Sequence, residues 1–203
     1  MPERPTYDGF EKMSLLDPEQ LREQTDVLFH EETRVVNDRG AFNGHESWVG
    51  TVAVGVVNGD GDVLLVNAPE GWSLPRSPVR PGDDWGAVAR RWVAQKTGLA
   101  VSLERPERVT RTSYRLAGAE YRQTTGYDVV LRAEPVDSAV PENANTPMDH
   151  LSAKRASEEG DEWDARWFGC VPDGVAERAD GEQYWNGGER EDAVSDVEWF
   201  LEE

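Results

Sequence analysis

Apolar residues recur along this chain with two different periods. Between Leu74 and Leu99, Trp85, Val88, Ala89, Trp92 and Val93 return every three or four residues, which predicts a helix with one apolar face. Asp83 or Asp84 is placed to cap its first free N–H groups, and Gly98 suits the left-handed position that ends a helix. A second helix is predicted over EQLREQTDVLFHEETRVVND, where Asp17-Pro18 reads as cap and first turn, Leu21, Val27, Leu28 and Val35 give a stripe, and Gly40 follows. A short C-terminal helix should set Val194, Val197, Phe200 and Leu201 on one face and dock on the body.

The shorter period marks strands. WVGTVAVGVV and VLLV, from Trp48 to Val66, flank NGDGD and predict a hairpin. Asn58, Asp60 and Asp62 superficially match a calcium loop, but Val63 stands where that loop needs Gly and Pro69 where it needs Glu, so a turn is expected. Ala100 to Glu104 reads as a short strand, and VTRTSYRLAG and GYDVVLRAEPV as two more, with Glu120, Arg122 and Gln123 at the hairpin tip between them. Residues 136–160 carry Pro141, Pro147 and many acids, and predict a long loop.

The segment LPRSPVRPGDDWGAVARRWVAQKTGL resembles the Nudix box, G-x5-E-x7-R-E-U-x-E-E-x-G-U with U aliphatic. Anchored on Gly98 and Leu99, Arg91 and Val93 fall on the family's Arg and aliphatic positions, and Leu74-Pro75 and Pro81-Gly82 on its common LP and PG pairs. GDEWDARWFGCVPDGVAERA resembles the family's strand ending in W-F that runs into a final helix, so the likeness spans Trp48 to about Arg178. It implies an α/β fold, a Nudix-like mixed sheet packed between helices, here with the additional N-terminal helix. Residues 1–46 would form an extension carrying that helix, and 47–203 the Nudix-like domain.

The likeness is in the frame and not in the chemistry. The family's first Gly is Ser77, its first Glu is Asp83, and the R-E-U-x-E-E core reads Arg91-Trp92-Val93-Ala94-Gln95-Lys96. Family members hold Mg²⁺ or Mn²⁺ against a pyrophosphate with three carboxylates on this helix. Hard divalent ions need oxygen ligands, which an indole lacks and an ammonium repels. No resident metal or other cofactor is therefore expected unless hydrolysis is retained.

Charge narrows the partners. The chain carries −19, from 40 acids against 21 bases, and only Lys12, Lys96 and Lys154 among the bases are lysines. This balance suits a cytoplasm rich in salt, where the Debye length falls to about 3 Å near 1 M and self-repulsion is screened. No basic stripe is available for nucleic acid. No stretch approaches the roughly 20 apolar residues of a membrane span, and no signal peptide is evident, so a cytoplasmic protein with no membrane partner is expected. Cys170, the single cysteine, reads as a buried structural residue, and His30, His45 and His150 have no zinc spacing.

Against this acidic background Arg76, Arg80, Arg90, Arg91 and Lys96 gather around one loop and helix. Guanidinium forks fit phosphate oxygens. The leading expectation is a small phosphate-containing ligand, a nucleotide for example, bound by Arg76, Arg80, Arg91, Trp92, Gln95 and Lys96, with hydrolysis lost. The enzyme alternative cleaves nucleoside diphosphate-linked compounds with Mg²⁺ or Mn²⁺ on displaced acids, Asp83 and Glu120 foremost, with Asp84 and Glu162 behind them. A third reading is a protein–protein module, with the N-terminal helix covering a sheet edge or making a homodimer contact.

Overall fold

A computed structural model describes residues 14–68, 71–136, 164–172 and 190–201. The fold is mixed α/β. Strands β1 (Leu28–Val36), β2 (Gly50–Val56), β5 (Arg76–Val79), β6 (Val101–Leu116) and β7 (Ala119–Pro135) form one sheet in the order β1-β6-β7-β2-β5. Pairs β1–β6 and β2–β7 are parallel, whereas β6–β7 and β2–β5 are antiparallel. Strands β3 (Val63–Ala68), β4 (Gly71–Ser73) and β8 (Asp164–Phe168) make a smaller antiparallel sheet with β3 in the middle. Helix α1 (Arg39–Ser47) precedes β2, α2 (Trp85–Thr97) joins β5 to β6, and α3 (Arg190–Leu201) is the C-terminal helix.

Alternation along the strands sorts the interior into two cores. Val52, Val54, Val79, Val129 and Leu131 of the large sheet, with Leu64 and Val66 of the small one, pack with Trp85, Val88, Ala89 and Val93 of α2. The residues between them, Ala53, Val130, Val63 and Leu65, pack with Val197 and Phe200 of α3. The two helices therefore cover opposite faces. Phe200 needs Gly55 beneath it, because a Cβ there would lie 2.3 Å from the phenyl ring.

The predicted second helix does not form. Asp17 does cap, accepting from the Glu19 N–H at 3.0 Å, but the turn it starts is a 3-10 helix that ends at Leu21. Leu21 and Val27 are buried as the stripe required, while Leu28 and Val35 are exposed. Residues 28–36 instead pair with β6 in a continuous parallel register from Leu28↔Arg108 to Val36↔Leu116. Phe29, Thr33, Val35 and Val36 suit a strand, and this long-range ladder overrides the helical preference of the intervening acids. The helix of the first 46 residues begins later, where the Asp38 carboxylate accepts from the Ala41 N–H at 2.7 Å.

Three smaller expectations also change. Asn58 Oδ1 accepts from the N–H groups of Asp60 and Asp62, which makes the expected turn, but β2 and β3 then diverge into separate sheets and share only the Val57–Val63 bridge. Residues 101–116 form one strand bent by register shifts after Leu103 and Pro106, and its hairpin turns at Ala117-Gly118. Glu120, Arg122 and Gln123 thus lie in β7 itself. Cys170, just past the end of β8, is exposed and not buried. Strand β8 ends in Trp167-Phe168 as expected, whereas the helix predicted after it, and the 137–160 part of the predicted loop, lie outside the described residues.

Candidate functional site

The box loop and helix are built by capping at both ends. Asp84 caps α2, its carboxylate accepting from the Ala87 N–H at 2.8 Å and from the Ser14 hydroxyl. Burial pushes the Asp84 carboxyl up, but the bonds from Ser14 and Ala87 outweigh it and hold the group below the ordinary aspartate range. Asp83 accepts from the Arg80 N–H at 3.2 Å and so closes the loop before the helix. Gly98 sits at φ 75° and its N–H returns to the Ala94 carbonyl, which stops the helix where the sequence placed the stop.

On α2, Trp92 is half-buried, and the Lys96 ammonium one turn later stands 4.8 Å from the centre of its indole. That separation is within the range for a cation held on an aromatic face. Arg91 and Gln95 are exposed on the same two turns. Arg80 leaves the loop to lie over Trp48, 5.5 Å from the ring centre. The indole at position 92 thus supports a cation, and Arg91 and Lys96 bring positive charge to these two turns of α2.

Arg76 is not among them. Ser77 and Val79 on β5 are buried, Val79 against α2, while Arg76 projects to the other face. There its guanidinium grips Asp128 on β7 at 2.9 and 3.0 Å and Asp196 on α3 at 2.6 Å. Arg108 on β6 donates to the other oxygen of Asp196, and Thr51 on β2 donates to Asp128. Asp196 is 2 % exposed. Burial pushes its carboxyl up to about 6, against the opposing pull of Arg76 and Arg108. Beside it, Arg132 donates to buried Glu107 at 2.6 Å and lies over Phe200.

Sequence reading missed this second constellation apart from Arg76. Its signal was an acid on an apolar helical face: Asp196 stands next to Val197 and one turn before Phe200. On α1, whose side of the sheet is also that of α3, His45 stacks on Tyr114 at 3.8 Å, and burial lowers its pKa. Glu120 lies on β7, well along the chain from the box. Among the described residues no group of three or more His, Cys, Asp or Glu is gathered as a metal site would need, and no helix is long and apolar enough to cross a membrane.

No protein-family model matches the sequence, and no curated protein does. Solved structures are similar at a low level. A NUDIX hydrolase from Nitrosomonas europaea is 16 % identical over 75 % of this chain and 70 % of its own, with a TM-score of 0.41. A pyrophosphohydrolase from Bacillus subtilis is 17 % identical over 66 % and 70 %, with a TM-score of 0.39. Likeness at this level carries nothing about activity.

Proposed function

We propose that this chain is a divergent member of the Nudix superfamily that binds a nucleotide or another phosphate-containing ligand at α2 without hydrolysing it. The observation behind this reading is the Trp92–Lys96 pair, an ammonium 4.8 Å from an indole centre, at two positions where the box pattern has metal-binding carboxylates. The loop–helix–strand frame supports it, with Asp84 and Gly98 ending the helix where the pattern requires. Arg80, Arg91 and Lys96 supply the positive groups for phosphate oxygens, Trp92 a ring face, and Gln95 an amide. Asp83 and Asp84 are engaged in closing the loop and capping the helix, which leaves them poorly suited to serve as displaced metal ligands.

The test is turnover of ADP-ribose and nucleoside triphosphates with Mg²⁺ or Mn²⁺, together with metal-free calorimetry of the same compounds. The expected result is no hydrolysis above background, and binding weakened about tenfold or more by Arg91→Ala or Lys96→Ala, the loss of one charge-assisted contact. Metal-dependent hydrolysis that disappears on changing Asp83 or Glu120 would replace this reading with the hydrolase. We further propose a salt-rich cytoplasm as the setting. Thermal stability should then climb as KCl is raised to molar levels, because screening relieves the −19 net charge.

A further inference from the structure

We propose that β1 is the contact of a two-fold homodimer, in which its outer edge pairs antiparallel with the same edge of a second copy of the chain, centred on Thr33. The strand is nine residues long and stands at the end of the large sheet. Among the described residues nothing pairs with its outer side. One bond settles which backbone groups face outward. The Val36 carbonyl accepts from the Ala117 N–H just past β6, so it points into the sheet. Along a strand the N–H and C=O of alternate residues turn to the same side. Arg34, Glu32 and His30 therefore also face β6, while Phe29, Glu31, Thr33 and Val35 turn their N–H and C=O groups outward.

A two-fold axis perpendicular to a sheet passes midway between two opposed residues, so one residue faces its own copy and its neighbours pair symmetrically about it. An axis centred on residue 31, 32 or 34 sets Glu31, Glu32 or Arg34 against itself, and directly opposed like charges are destabilising. Centred on Thr33, it sets Glu32 opposite Arg34 on both sides of the axis, Glu31 opposite Val35, and His30 opposite Val36.

The backbone agrees with this choice. Thr33, Glu31 and Val35 are outward residues, so their pairs exchange both main-chain bonds. Glu32 and Arg34 then fall on the non-hydrogen-bonded pairs, whose Cα atoms are about 4.5 Å apart and whose side chains lie closest. Within each chain Arg34 already holds Glu32 at 2.8 Å, and the pairing closes the two couples into a ring of alternating charge. Glu31 brings little repulsion, because Arg22 and Arg111 hold it at 3.0 and 3.3 Å. Val35, 63 % exposed, gains cover from the opposite strand. The acids of this edge thus turn away a wrong register and admit this one.

Each copy carries −19, so association is tested in molar KCl, where the Debye length is about 3 Å. Sedimentation equilibrium of the full chain, in a series rising to millimolar protein, should show a reversible monomer–dimer equilibrium. Thr33→Pro removes an N–H that the β1–β6 ladder does not use, at an edge position that tolerates proline, and should weaken the dimer about tenfold or more. Arg34→Glu and Glu32→Arg should each be monomeric alone, since each sets like charges across the axis. Mixed in equal amounts they should associate, because two acids then face two bases. A native chain that stays monomeric overturns the proposal, as does a dimer that survives Thr33→Pro or a mixture that fails to associate. If any of these variants does not fold, amide exchange of the native chain decides. Glu31, Thr33 and Val35 should exchange more slowly as protein concentration rises, with Glu32 and Arg34 unchanged, and exchange independent of concentration overturns the pairing. Arg91 and Lys96 are untouched in every arm, so failure here leaves the reading of α2 standing.

Discussion

Helices α2 and α3 cover opposite faces of the same strands and are held by different physics. Helix α2 presents Trp85, Val88, Ala89 and Val93 to an apolar core and is capped by Asp84 and Gly98 at its ends. Helix α3 brings a carboxylate into the interior and anchors it between two arginines of the sheet. Apolar burial is non-directional and grows with area, so it fixes α2 strongly and tolerates an exposed face with unusual chemistry. A buried ion network gains little net free energy over its desolvation cost, but every member depends on the others. The first region is built for stability, and the second for position.

Four experiments press on this contrast, from the largest expected effect to the smallest. Trp85→Ala should cost about 3–5 kcal/mol in chemical denaturation, because the indole is almost wholly inside the α2 core and its loss leaves a cavity. A cost below that of an ordinary surface change would mean that α2 is not held by its apolar stripe. Arg76→Ala should cost about 2 kcal/mol, the loss of hydrogen bonds between charged groups. Hydrogen exchange should quicken on α3 and not on α2, and uniform quickening would show that the two sides are not separable.

Gly55→Ala puts a methyl group against the Phe200 ring and should cost about 1–3 kcal/mol by overpacking. The exchange signature should again be restricted to α3. The smallest effect is on pH. Asp196 titrates near 6 when folded, above the ordinary value of about 4 that it has in the unfolded chain. Between those values the folded chain holds a proton that the unfolded chain releases, so this group's contribution falls as pH rises through the window and is constant above it. Asp196→Asn should flatten that part of the stability profile. A contribution from Asp196 that is flat across this window and rises with pH below about 4 would mean that the arginines, and not burial, dominate the site.

The α2 side was legible in the sequence because its determinants are local. An Asp cap, a stripe at helical spacing and a terminal Gly lie within one short segment, and each acts on its near neighbours. The N-terminal strand was misread because its partner is remote. Leu21, Leu28 and Val35 recur at an interval that suits a helix, and only the register with Arg108 to Leu116 shows that they do not share one. The same distance hid the α3 network, whose members come from positions 51, 76, 108, 128 and 196 and meet only in the folded sheet. Glu120 looked like a loop acid because the hairpin was expected to turn at it, whereas Gly118, at φ 73°, turns the chain two residues earlier.

The parallel pairing of β1 with β6 also constrains the order of assembly. A chain made from its N-terminus exposes residues 28–36 before β2, α2 and the β6–β7 hairpin exist. The hairpin can zip locally as soon as Pro135 is available, whereas β1 must wait and then close a long loop onto its edge. During that interval a nine-residue strand with both edges unpaired is open to the wrong neighbour. Its two adjacent acids, Glu31 and Glu32, stand where a bare edge would otherwise invite pairing with another chain.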